Sequence, residues 1–468
     1  MARQPPASNF VRLALLTLVL AAGAGASLWL NWPGQLSPDS VWQLQQGRSG
    51  VFNAWHPPVM AWLLGRFDAI SPGAPGFIVL DALLGFGGLF AFAALALRPR
   101  IAAIVLAAAL SASPLLLTYQ GDVWKDVLFA DAAVAGFAAL AWAARVWDEP
   151  APRRGLVVLG FALFALAALT RQNGLLTPLF GAAGLIGVAR RREAPRAAAI
   201  RLGVGAFAGC LAAVMAASYA LALHSDGEPA QARQLEWLQV WDLAGADHID
   251  PYLDLAGLEH DAPEAAVFVR QAAPGWTPTR VDPLLGLPGA DIALDDAGPA
   301  VGRAWRHMIR TRTGLYARVR LADFGQLLAT PRLMDCRPLF IGLDGPPEIL
   351  ATLHLKPHDP AKAALGRRYA LAFVGTPVLS HLVYGLLALV LMVLAGRDRA
   401  RPEGPVIVAM LAAALTFTVS FLIIGVACDY RYLYLLDLAA MAALLHRVSI
   451  GMGGPVRPRP PTGPETGP

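Results

Sequence analysis

"LALLTLVLAAGAGASLWL", Leu13 to Leu30, is an unbroken apolar run between Arg12 and Asn31, and it decides the fold class. A hydrocarbon core of about 30 Å needs roughly 20 apolar residues of helix rising about 1.5 Å each, which this run nearly supplies. Segments of the same kind recur near Gly76–Leu97, Ile101–Thr118, Val127–Trp147, Gly155–Thr170, Leu175–Ala189, Leu202–Leu223, Ala370–Ala395, Pro405–Val426 and Tyr432–His446. Hydropathy thus predicts about ten transmembrane helices. Composition agrees, because 56% hydrophobic and 15% charged residues with a mean hydropathy of +0.50 exclude an ordinary soluble protein. The chain reads as an all-α polytopic membrane protein.

Cations set the expected orientation, since short cytoplasmic loops retain Lys and Arg. Arg3 and Arg12, Arg98 and Arg100, Arg145 with Arg153 and Arg154, the cluster Arg190, Arg191, Arg192 and Arg196, Arg397 with Arg399 and Arg401, and Arg447 fall at every second membrane exit. Both termini are therefore expected in the cytoplasm. Small residues at Ala21–Ala26 resemble a signal peptide, but the apolar run continues through Trp29 and Leu30, which predicts an uncleaved anchor. These anchoring arginines account for most of the formal charge of +5, so the charge does not argue for nucleic-acid binding.

Organisation follows from these spans. Residues 1–223 form an N-terminal transmembrane module of seven expected spans, including a periplasmic loop at 31–75 with an amphipathic helix. Residues 224–368 form a small periplasmic domain, interrupted by Pro, Gly and Asp and expected to be of mixed structure, with helices around Ala230–Ala244 and Ala300–Leu321. Residues 369–450 hold three further spans, and 451–468 read as a disordered cytoplasmic tail. Cys210 lies within a span, whereas Cys336 and Cys428 both fall on the outer face, where disulfides form; their separation in sequence leaves the pairing open. No CxxC or HExxH spacing argues for a zinc site.

The unusual residues lie on the face opposite the arginines. In Ser37-Pro38-Asp39-Ser40 the spacing predicts a short helix with Ser37 as N-cap, Pro38 in the first turn and Asp39 near the positive end of the peptide dipoles. Asp39, Gln43 and Gln46 share one face and Val41 and Leu44 another, a pattern suited to the membrane surface. "WHPP" places His56 before two prolines that start a new segment. In "GDVWKDVLF", Asp122, Lys125 and Asp126 fall at helical spacings of three and four. "LTRQNG" brings Arg171 and Asn173 to another outer mouth, and "CDYRYLYLLD" adds Asp429 and Arg431 among Tyr430, Tyr432 and Tyr434. Plainer readings exist for each: a helix cap for Asp39, charge neutralisation for Lys125, an aromatic belt for the tyrosines. Charges beside hydrocarbon are costly, however, and four such mouths predict a shared cavity.

Asp39 just after the first span, then "WHPP", "WKD", "RQN", a large soluble insertion and "DYRY" resemble the GT-C superfamily of membrane glycosyltransferases. Within it the pattern is similar to the bacterial branch related to protein O-mannosyltransferases and lipid A aminoarabinose transferases. Two departures stand out: a single acid in the first outer loop where many members have two adjacent ones, and His56 where relatives often carry a lysine before the proline pair. The resemblance implies a polyprenyl-phosphate-linked sugar donor and a glycan, lipid or protein acceptor. It implies Asp39, Asp122 and Asp126 as catalytic carboxylates, with Asp39 as general base in an inverting transfer. His56, Lys125, Arg171, Asn173, Asp429 and Arg431 are the implied substrate-binding residues, the cations meeting the departing phosphate. The carboxylates permit a divalent cation without demanding one. A polyprenyl-linked donor, together with the absence of an Asn-x-Ser/Thr sequon from the chain, favours a bacterial inner membrane over an endoplasmic reticulum. The competing readings are a lipid-linked substrate transporter or flippase, and an O-antigen polymerase or ligase.

Overall fold

The computed structural model describes residues 7–53, 55–227, 230–290, 298–355 and 358–451. The expected tail at 451–468 lies, apart from its first residue, outside the described residues. The protein is all-helical, with no β-strand among the described residues and three isolated bridges, Gln35 to Asp122, Leu36 to Leu343 and Phe52 to Ser225.

In chain order the helices are α1 Ala7–Asn31, α2 Pro38–Ser49, α3 Pro58–Asp68, α4 Pro75–Ala94, α5 Ile101–Ser111, α6 Pro114–Leu117, α7 Lys125–Arg145, α8 Pro150–Thr170, α9 Leu176–Arg191 and α10 Arg196–Ala222. The region that follows is built from α11 Ala230–Ile249, α12 Ala256–Asp261, α13 Pro263–Ala272, α14 Asp282–Leu285, α15 Gly298–Thr311, α16 Thr313–Ala329, α17 Pro347–Leu353 and α18 Pro360–Leu371. The chain then closes with α19 His381–Arg397, α20 Gly404–Ile424 and α21 Tyr434–Ile450.

Among the described residues, seven helices are long and apolar enough to cross a membrane, or eight if α5 and the bent segment Pro114–Gly121, set at 65°, make one span. This makes a multi-pass membrane protein. The other two of the ten expected segments are helices of 16 residues (α9) and 17 residues (α19), which at about 1.5 Å per residue reach roughly 24 to 26 Å. The segment expected from Ala370 begins as a span only at His381, because α18 ends at Leu371 and Gly375, at φ +78°, with Pro377 breaks the chain between them.

The arginine clusters gather at one end of the bundle. Arg191 donates to the carbonyls of Asp398 and Arg401, Arg192 donates to the Ala144 carbonyl, and Arg100 packs against Gly451. The polar domain is not mixed: helices are its only regular elements among the described residues, and Pro263, Pro347 and Pro360 each start a short one. The helix expected at Ala300–Leu321 is two helices, α15 and α16, divided at Arg312. Val240, Trp241, Leu243, Phe268, Val301 and Val319 give this domain its own core. The amphipathic α2 presents Val41 and Leu44 to Met60, Leu64, Phe77 and Ile78 rather than to lipid, so its apolar face is satisfied within the protein.

Candidate functional site

The site is built at the end of the bundle opposite the arginine clusters, from five separated stretches of chain. Pro38 opens α2 and leaves Asp39 in its first turn. The Ser37 side chain does not cap the helix; it accepts a hydrogen bond from Trp124 Nε1 at 3.1 Å. Asp39 is likewise no cap: its partners are Arg431, with Nη2 2.9 Å from Oδ2, and His56, with Nε2 3.7 Å from Oδ1. Close approach of α2 to α3 sets Asp39 beside His56. Gly47 and Gly65 face each other so tightly that a Cβ on either would overlap the other helix's backbone.

His56 is joined in turn to Lys125, whose Nζ lies 3.0 Å from Nδ1. Lys125 is the first residue of α7, and Asp126 is the second. Asp126 is an ion-pair partner of Arg171, the residue at the end of α8, and lies 3.6 Å from Arg431 Nε. Asp429 closes the ring with Oδ2 3.3 Å from Arg431 Nη2. Arg431 is thus held by three carboxylates, Asp39, Asp126 and Asp429, while Lys125 has His56 as its partner.

Seven of the nine residues singled out in the sequence therefore form one cluster. The other two stand apart. Asp122 is enclosed behind the cluster, and it precedes α7 instead of sharing its face, because the helix starts only at Lys125. Asn173 turns to α20, where Nδ2 donates to Ser420 Oγ at 2.9 Å.

Aromatic residues complete the walls. Arg171 lies over the rings of Phe417, Phe421 and Tyr432 at 5.3 to 5.4 Å, and Arg431 over Trp124 at 4.8 Å. Tyr430 and Tyr434 are wholly buried, so these two are interior groups and not an interfacial belt, while Tyr432 is half-buried. Phe417, Phe421 and Trp124 carry no charge signal, and only their neighbourhood in space marks them.

Burial raises the Asp39 carboxyl, but His56, Arg431 and Lys125 outweigh it and hold the group well below the usual carboxylate range. Burial and the nearby Lys125 ammonium lower His56 from 6.5 to about 4, against the pull of Asp39, so its imidazole is neutral at pH 7. Burial pushes Asp122 and Asp429 upward, with Arg431 opposing in both cases. The cluster is thus an ionised carboxylate, a neutral imidazole and the Lys125 amine in a line, beside two guanidinium groups. A cavity of about 320 Å³ adjoins Arg171, walled by Pro57, Pro58, Ala168, Leu169 and Leu221. Its α8 and α10 walls are the outer ends of two apolar spans, and most of α10 is exposed on the outside of the bundle, so the cavity sits at the bundle's flank.

The loop carrying Asp429 and Arg431 is anchored in the polar domain. Cys428 is disulfide-bonded to Cys336 and donates its N–H to the Thr279 carbonyl at 2.9 Å. Arg320 donates from Nη1 to the Gly425 carbonyl at 2.6 Å while pairing with buried Asp242. The pairing of cysteines that the sequence left open is therefore Cys336 with Cys428.

No family model and no curated protein matches the chain. Among solved structures it is similar to the oligosaccharyltransferase AglB of Archaeoglobus fulgidus, in complex with an inhibitory peptide and a dolichol-phosphate, at 14% identity and a TM-score of 0.39. A second structure of the Archaeoglobus fulgidus oligosaccharyltransferase, with Zn and sulfate, gives 13% identity and the same TM-score of 0.39. These matches cover 92% and 91% of this chain, which spans about half the length of either neighbour, 50% and 48%. At that similarity the likeness bears on neither activity nor substrate, which rest on the chemistry of the site.

Proposed function

We propose that this chain is a GT-C-type membrane glycosyltransferase that moves a hexosyl or pentosyl group from a polyprenyl-phosphate carrier to a glycan, lipid or protein acceptor. The observation that carries the reading is the convergence of Asp39, His56, Lys125, Asp126, Arg171, Asp429 and Arg431 beside a largely apolar cavity at the flank of the bundle. An amphiphilic donor needs both halves of such a site: apolar walls for the prenyl chain and cations for the phosphate.

In this reading Asp39 accepts the proton of the acceptor hydroxyl as its oxygen attacks the anomeric carbon, and the bond from that carbon to the carrier phosphate oxygen breaks. Lys125 and Arg171 face the departing phosphate. Lys125 has no carboxylate partner among the described residues, which leaves it open to an anion, and Arg171 lines the cavity while it pairs with Asp126. Arg431 is engaged by three acids, which suits it to holding Asp39 and Asp429 in place more than to seizing the donor. It also supplies the positive charge between those acids. Among the described residues no three His, Cys, Asp or Glu side chains gather to hold a metal ion.

A single attacking base predicts inversion at the anomeric carbon. The site would face the periplasm of a bacterial inner membrane, with both termini cytoplasmic, as the arginine-rich end requires. The test is transfer from a radiolabelled polyprenyl phosphosugar by the purified protein, with the product anomer determined. Movement of intact donor between leaflets without transfer would mean a flippase, and retention of configuration would rule out the single displacement.

A further inference from the structure

The bundle interior holds a second polar cluster that the sugar-transfer reading does not use. Asp81 of α4 and Asp131 of α7 are both fully buried, and each sits six residues past the first residue of its helix, which places both about 9 Å below the outer end of a span. Neither oxygen of Asp81 has a hydrogen-bond partner. Asp131 accepts one bond, from Gln120 Nε2 at 3.0 Å, and its other oxygen is unpartnered. Neither acid has a basic side chain at ion-pair distance among the described residues, while Asp131 acts electrostatically on Asp81.

A separate side chain points to the same spot. Gln120 is fully buried and its Oε1 has no partner, although its Nε2 donates to Asp131 and to Tyr434 Oη at 3.1 Å. Gly85, one turn beyond Asp81 on α4, keeps this meeting point open: a Cβ there would lie 2.8 Å from Asp131 Oδ1 and from both amide atoms of Gln120. The Tyr434 hydroxyl proton is spent on the Leu115 carbonyl at 3.0 Å, so it cannot relieve the acids. The other titratable groups beside Tyr434 are Tyr119, whose hydroxyl donates to the Pro338 carbonyl, and Asp437, which is paired with His381 at 2.9 Å.

Two buried carboxyl groups that act on each other cannot both carry charge without a counter-charge. Their free oxygens and the free amide oxygen make an all-oxygen donor set suited to a hard ion. We propose that Asp81, Asp131 and Gln120 form a site inside the membrane bundle for one small cation, a proton or a sodium ion. The site lies directly behind the turn Tyr119–Gly121 that leads to Asp122, so its occupant braces the loop on which the outer cluster is built. It does not depend on the sugar-transfer reading.

The test uses the full chain in nanodiscs and reads the cation, not transfer. For sodium, the unfolding midpoint rises with NaCl over choline chloride at equal ionic strength, and Asp81→Asn and Asp131→Asn each remove the rise. For a proton, the midpoint ignores sodium, and infrared spectra of wild type show a carbonyl stretch of a protonated, exchange-resistant carboxyl that each variant shifts or removes. Wild-type protein with neither a sodium-specific rise nor such a band overturns the proposal. Asp122→Asn is the control for the band, since burial also pushes that carboxyl upward: a band lost there but kept in Asp81→Asn and Asp131→Asn overturns the proton arm.

Discussion

Asp39 is placed between the basicity that proton transfer needs and the partners that keep it ionised. Against the burial that raises it, His56, Arg431 and Lys125 win, so Asp39 is a fixed but weak base, and a donor that draws Lys125 toward its phosphate would strengthen it. Asp39→Asn should lower turnover about 10²- to 10⁴-fold while expression and donor binding persist, measured by radiolabel transfer and by donor-dependent thermal shift. Lys125→Met should act differently, raising the donor KM about 10- to 100-fold with a smaller change in kcat, since it removes a charge-assisted bond to phosphate. His56 gives a pH signature. Its folded value, about 4, is below its ordinary 6.5, so the unfolded chain binds more protons between them and stability rises with pH across that window. Thermal unfolding of wild type against His56→Gln should show a wild-type advantage that is full above pH 6.5 and shrinks toward pH 4; an advantage constant with pH would refute the buried neutral imidazole.

Elements act through where they start and what they touch. Lys125 and Asp126 reach the site because α7 begins there, and Asp39 because Pro38 begins α2. The spacings of three and four that joined Asp122 to Lys125 assumed one helix, but the turn Tyr119–Gly121 and the bridge from Gln35 to Asp122 hold that residue in extended chain. A Cβ at Gly47 meets the α3 backbone, so Gly47→Val should separate α2 from α3 and lower both the melting temperature and transfer, whereas a substitution at the open Gly50–Val51 turn, Val51→Ala, should change neither. The Arg320–Asp242 pair is buried on both sides, 3% and 0% exposed, and also grips the Gly425 carbonyl ahead of Asp429 and Arg431. Removing one partner leaves a buried charge, so Arg320→Met should destabilise the polar domain by about 3–5 kcal/mol in chemical denaturation.

At the scale of the molecule, two opposite ends carry opposite kinds of residue, arginine clusters bonded to loop carbonyls at one and the acid–base cluster at the other. That asymmetry predicts an outcome in intact cells. A membrane-impermeant maleimide should label Val51→Cys, which is exposed beside the site, and should label Arg399→Cys only after lysis. The reverse pattern would place the site in the cytoplasm. The polar domain belongs to the site as well, because the disulfide and the Thr279 and Arg320 bonds attach it to the loop of Arg431.

The sequence by itself determined the helical membrane class and the division into two ends, because hydropathy and arginine placement act locally along the chain. It also marked most of the cluster, since a charge beside an apolar run is visible without any partner. Only the tertiary structure decided which charges meet, that Arg431 serves three acids and Lys125 a histidine, that Asn173 faces elsewhere, and that Trp124, Phe417 and Phe421 line the walls. It also brought Asp81 and Asp131, 50 residues apart by number, to one depth behind Gly85. Those facts depend on the packing of distant helices, and packing is a property of pairs of surfaces that no single stretch of chain contains.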